Sequence, residues 1–105
     1  MKRNTPKILV VDDEPMIRDL LGNVLQRIEY DCCYAEDGRA ALDELEKKTF
    51  DVVVTDIDMP VMDGIELAKA IKDSHTADII VMTGQIQQYQ YDEMIQIGAT
   101  DFVEK

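Results

Sequence analysis

The chain has 105 residues, enough for one domain with one hydrophobic core and too few for two domains of ordinary size. Hydrophobic residues make up 46% and charged residues 31%, a balance that suits a soluble globular protein and argues against disorder. Lys and Arg total 11 against 22 Asp and Glu, so the formal net charge of -11 sets up a field that repels nucleic acid and anionic membrane.

Residues 1–7 are basic, but the apolar run behind them covers only residues 8–11, too short for the core of a signal peptide. No stretch has the length and apolarity of a membrane span. The two cysteines, Cys32 and Cys33, are adjacent on an expected strand whose side chains alternate between faces. A disulfide between them is therefore not expected, and reduced thiols in a cytoplasmic protein are.

Residues 7–12 read KILVVD, a continuous apolar run of the kind found in a strand buried on both faces. Pro15 suits the first turn of a helix, and Ile17, Leu20, Leu21, Val24, Leu25 and Ile28 then recur at helical spacing as one apolar stripe. Residues 31–35 form a second strand. Residues 38–48 follow as a helix with Ala41, Leu42 and Leu45 inward and a Glu44 to Lys48 pair outward. Residues 51–55, DVVVT, are a third strand ending in the carboxylates Asp56 and Asp58. Asp63 can cap the next helix with Glu66 three residues on, while Ile65, Ala68 and Ile71 face inward.

A fourth strand over residues 78–82 ends at Thr83 and Gly84, and residues 85–97 carry a weak helical pattern with Tyr91, Met94 and Ile95 on one face. Gly98 closes that segment, and residues 100–104 form a fifth strand before Lys105. Strands alternating with helices predict an α/β fold, a doubly wound five-stranded parallel sheet with right-handed crossovers. In the flavodoxin-like order 2-1-3-4-5, ligands sit outside the carboxyl ends of strands one and three, where the order reverses.

That order gathers Asp12, Asp13 and Asp56 at the reversal point, with Thr83 ending strand four and Lys105 following strand five. Singly, each has an ordinary explanation: acids before a proline cap helices, Thr-Gly closes a strand, and a terminal lysine is solvated. Jointly, three neighbouring carboxylates repel and need protons or a cation, and Mg2+ suits a few carboxylates plus water. Asp56 is then the best nucleophile candidate, because carboxylates accept phosphoryl groups as acyl phosphates. Mg2+ and Lys105 would neutralise the phosphoryl oxygens from opposite sides, with Thr83 donating a hydrogen bond to a third.

The segments VVDDEP, VVVTDIDMPVMDG, IIVMTG and GATDFVEK, in that order and spacing, resemble the receiver domains of response regulators such as the chemotaxis regulator. The resemblance covers residues 1–105 and implies a two-component receiver that takes a phosphoryl group from a sensor histidine kinase or phosphotransfer protein. It implies that Asp56 is the phosphorylated residue, and that Asp12, Asp13, Asp56 and the backbone carbonyl of Asp58 hold Mg2+. It further implies that Thr83 and Lys105 contact the phosphoryl group, and that Thr83 and Phe102 switch the output face. Phe102 reads equally well as a half-buried strand residue.

The family continues past the lysine with a proline and a fifth helix, whereas this chain stops at Lys105. A receiver truncated there would have four helices for five strands, leaving part of the first helix's stripe and residues such as Phe102 and Val103 beside bare apolar surface. The implied protein is cytoplasmic, works through a homodimer or an attached effector domain, and catalyses only its own phosphorylation and dephosphorylation. The competing reading is a haloacid-dehalogenase-like phosphatase with Asp56 as nucleophile and Asp58 as general acid. A flavodoxin-like carrier would need hydroxyls and glycines where Asp12, Asp13 and Glu14 stand. A structural module that has lost phosphorylation would not need the acid set.

Overall fold

The computed structural model describes residues 5–56, 64–74, 77–83 and 101–104, of which 64, 65, 74, 83 and 101–104 are described by backbone alone. Among these residues the elements run β1 (Lys7–Val11), α1 (Pro15–Arg27), β2 (Asp31–Ala35), α2 (Gly38–Lys47), β3 (Val52–Asp56), α3 (Gly64–Ser74), β4 (Asp78–Thr83) and β5 (Asp101–Glu104). The strands form one sheet in the order β2-β1-β3-β4-β5, every pair parallel, as the alternation of elements predicts. The helix expected over residues 85–97 lies outside the described residues.

β1 is central because its residues are apolar on both faces: Ile8, Leu9, Val10 and Val11 are all buried. Leu9 and Val11 point into the larger core with Val53, Ile79 and Val81, under Ala41 and Leu45 of α2 and Leu67, Ala68 and Ile71 of α3. Ile8 and Val10, one residue out of phase, face the side taken by α1. There Tyr34 of β2 packs over Gly22, the buried residue of α1, and a Cβ at that position would lie 2.8 Å from the ring carbons Cε1 and Cζ.

The stripe expected along α1 divides in two. Ile17, Leu21 and Leu25 are half-buried. Leu20, Val24 and Ile28 of that stripe, together with Met16 one turn earlier, form a row spaced four apart that stays 50–78% exposed. A run of apolar residues at helical spacing covers a wide arc, and only the part turned to the sheet is buried here. The helix closes on a reciprocal pair of bonds, Glu29 N to Gln26 O at 3.0 Å and Tyr30 N to Leu25 O at 3.0 Å. This termination puts Glu29 in the left-handed region at φ 64, a position that favours glycine.

α2 starts at Asp37, whose side chain accepts a bond from Ala40 N at 2.8 Å. It ends at Lys47, one residue before the expected Lys48, which is already extended. The expected Glu44 to Lys48 pair is therefore replaced by Glu44 to Lys47 at 3.6 Å, and Lys48 Nζ lies 3.5 Å from Cys33 Sγ. Both cysteines are free thiols. The other boundaries shift by a residue: β1 stops before Asp12, β3 begins at Val52 and includes Asp56, β4 takes in Thr83, and β5 begins at Asp101. Asp51, expected to open β3, instead accepts from Lys7 N through its carboxylate at 2.8 Å. The expected cap Asp63 and the side chain of Ile65 lie outside the described residues, while Ala68 and Ile71 are buried as expected. No helix among the described residues is long and apolar enough to cross a membrane.

Candidate functional site

The register of β1 on β3 carries the two strands side by side to the rung Val11 to Thr55. One residue further on, Asp12 and Asp56 are in phase with Val10 and Val54, so both turn to the α1 side of the sheet. Both are buried, at 0% and 4% exposure, a placement that carboxylates rarely take without a charge or hydrogen-bond partner. Asp13 and Glu14 are exposed in the loop that leads into α1. Asp12, Asp13, Glu14 and Asp56 each offer one carboxylate oxygen to a single group whose atoms all lie within 4.8 Å of one another.

The β1–α1 loop that carries three of these acids is tied at several points. Asp12 N donates to Ala35 O of β2 at 3.1 Å, and Asp12 Oδ1 accepts from Glu14 N at 2.9 Å. Arg18, one turn into α1, donates from Nη1 to the carbonyl of Asp12 at 2.9 Å. Glu14 occupies the N-cap position without a capping bond from its side chain, and Pro15 follows at the start of the helix. On the other strand, Thr55 Oγ1 donates to the carbonyl of Asp56 at 2.9 Å.

The structure therefore brings together Asp12, Asp13 and Asp56, as the sequence leads one to expect. It adds Glu14, whose place next to Asp13 is the only sequence signal for it, and Arg18, whose spacing of four from Glu14 puts it over the same loop. Thr83 ends β4, one residue past the rung Asp56 to Met82, and Phe102 of β5 pairs with Val81 of β4. Asp58 and Lys105 lie outside the described residues. Four oxygen donors crowded at this distance fit a hard divalent cation that takes carboxylates and water, and do not fit a soft metal.

The response regulator receiver domain matches this sequence over residues 8–105. The chain belongs to that family. This receiver domain is 36% identical over 100 residues to the alkaline phosphatase synthesis transcriptional regulatory protein PhoP of Bacillus subtilis, covering 94% of this chain and 42% of the relative. It is 37% identical over 99 residues to the transcriptional regulatory protein FixJ of Bradyrhizobium diazoefficiens, covering 93% and 48%. The chain thus spans less than half the length of these relatives.

Among solved structures it resembles the Vibrio cholerae chemotaxis response regulator CheY4, with TM-score 0.90, 34% identity and coverage of 97% of this chain and 88% of that one. It also resembles the Thermotoga maritima response regulator TrrA, solved in complex with Mg2+ and BeF, with TM-score 0.85, 39% identity and coverage of 96% and 87%. The chain is a receiver of two-component signalling, and these similarities lend nothing to the haloacid-dehalogenase alternative.

Proposed function

We propose that this receiver domain accepts a phosphoryl group on Asp56 from a sensor histidine kinase or a phosphotransfer protein. The observation that carries the reading is the burial of Asp56 within an oxygen group that it shares with Asp12, Asp13 and Glu14. A carboxylate oxygen of Asp56 attacks phosphorus, forming an acyl phosphate as the bond from phosphorus to the donor imidazole nitrogen breaks. Asp12, Asp13, Asp56 and the backbone carbonyl of Asp58 would hold Mg2+, which when bound neutralises charge on the transferring phosphoryl group. Thr83 donates a hydrogen bond to one phosphoryl oxygen and Lys105 pairs with another.

In this reading Thr83 and Phe102 carry the change to the output face, and an attached effector domain or a homodimer turns it into a signal. The domain acts in the cytoplasm and catalyses only its own aspartyl phosphorylation and dephosphorylation. Incubation with a small-molecule phosphodonor and Mg2+, followed by intact mass measurement, should show one added phosphate. Asp56→Asn should abolish it, and unchanged labelling of that variant would refute the assignment.

A further inference from the structure

We propose that Arg18 is a positioning residue of the metal site, clamping the β1–α1 loop so that Asp12 and Asp13 are already arranged for a divalent cation before one arrives. The inference rests on reading the acid group as a cation site. Asp12 lies just beyond the end of β1, where the strand ladder no longer fixes its peptide. Its N–H still reaches β2 through Ala35 O, but its carbonyl is held by Arg18 Nη1 at 2.9 Å, six residues further on and inside the helix. The peptide that joins Asp12 to Asp13 is thus oriented by a side chain of α1.

The start of α1 does little of this itself. Glu14 makes no side-chain capping bond, and Pro15 has no N–H to offer. Ile17 N and Arg18 N both donate to Glu14 O, at 3.1 and 3.2 Å, so the base of Arg18 is fixed to the far end of the loop that its guanidinium grips at the near end. The span from Asp12 to Glu14 is bridged by Glu14 N donating to Asp12 Oδ1 at 2.9 Å, and the half-buried Arg18 side chain adds the tie from α1 to the Asp12 carbonyl. A guanidinium suits the task because it stays charged and presents several donors from a rigid plane.

Two other roles predict different signs. If Arg18 acts only through its charge, it repels an incoming cation, and its removal tightens Mg2+ binding. If it only anchors the helix, its removal lowers thermal stability equally with and without Mg2+ and leaves the affinity alone. A clamp predicts weaker binding on removal, because the loop must then be ordered at the expense of binding.

The test uses Arg18→Met, which keeps the packing stem and removes both donors and charge, and Arg18→Lys, which keeps charge, reach and one donor group. Mg2+ alone is titrated into each metal-free protein by calorimetry, and amide exchange of Glu14 is followed without metal. The clamp predicts about 10-fold weaker Mg2+ binding in Arg18→Met, a value between that and wild type in Arg18→Lys, and several-fold faster exchange of the Glu14 amide in Arg18→Met. Unchanged or tighter Mg2+ binding in Arg18→Met overturns the proposal while leaving the cation site intact. Unchanged exchange at Glu14 overturns it without reference to metal. A wild-type protein that binds no Mg2+ removes the cation site and the clamp together.

Discussion

Replacing Asp13 by Asn tests whether the acid group is held together against its own repulsion. Asp13 is exposed, so a water-like dielectric applies. At the 4.8 Å limit of the group, each pair of unit charges then repels by about 0.9 kcal/mol. Ionic strength near 0.15 M, with a screening length of about 8 Å, reduces this by roughly half. Against three neighbours, the carboxylate of Asp13 carries about 1.5 kcal/mol of repulsion. Part of it persists in the unfolded chain, where Asp12, Asp13 and Glu14 remain consecutive.

Metal-free Asp13→Asn should therefore be more stable than wild type by about 1 kcal/mol, a rise in Tm of about 4–8 °C for a domain of this size. The gain should grow in low salt. With Mg2+ at about 100 times its dissociation constant the wild type should gain about 2.7 kcal/mol, and the variant much less at the same concentration. Urea unfolding with and without Mg2+, at two salt concentrations, measures all four quantities. A metal-free variant no more stable than wild type at low salt, or one that gains as much from Mg2+, would refute the reasoning.

Glu29→Gly should raise stability by about 0.5–1 kcal/mol in urea unfolding, because Glu29 sits at φ 64 as the left-handed residue that closes α1. Leu9→Ala, at a fully buried position, should cost about 2–5 kcal/mol, and Leu20→Ala, 58% exposed on α1, less than about 1, in the same assay. The Cys32 thiol is pushed up by burial, by more than the hydrogen bond with Tyr34 pulls it down, and the charge of Cys33 adds to the rise. Its neutral form thus persists to higher pH in the folded protein than in the unfolded one. Alkylation of Cys32, followed by mass spectrometry against pH, should turn on later in native than in urea-unfolded protein.

The sheet was legible because its central strands are apolar on both faces. KILVV and VVVT suit strands covered by helices on both faces, and that requirement leads to a parallel sheet. Asp12, Asp13 and Asp56 came together only with the common order 2-1-3-4-5 for such sheets, which places the ends of β1 and β3 side by side. What escaped depends on single hydrogen bonds rather than on periodicity. The end of α2 at Lys47 moved the ion pair of Glu44, and the left-handed Glu29 has no glycine to announce it. Arg18 reads in sequence as one more charge on an amphipathic helix, its spacing of four from Glu14 being the sole hint, and the path of the chain shows that it reaches back to Asp12.

The two faces of the sheet divide the work, and this decides how a change at the site is felt. Leu9, Val11, Val53, Ile79 and Val81 face the larger core under α2 and α3. Asp12 and Asp56 continue the opposite phase, toward α1, where Gly22 is the buried helical residue and much of the apolar stripe remains exposed. Among the described residues, a charge added or removed at the acids therefore acts on the more thinly packed side of the sheet. Its effect on stability should be electrostatic and salt-dependent rather than a loss of packing. The bond from Thr55 Oγ1 to the carbonyl of Asp56 starts from a residue on the core phase, so β3 holds its last residue from the well-packed side. A change of charge at Asp56, as in Asp56→Asn, should therefore spare the core packed under α2 and α3.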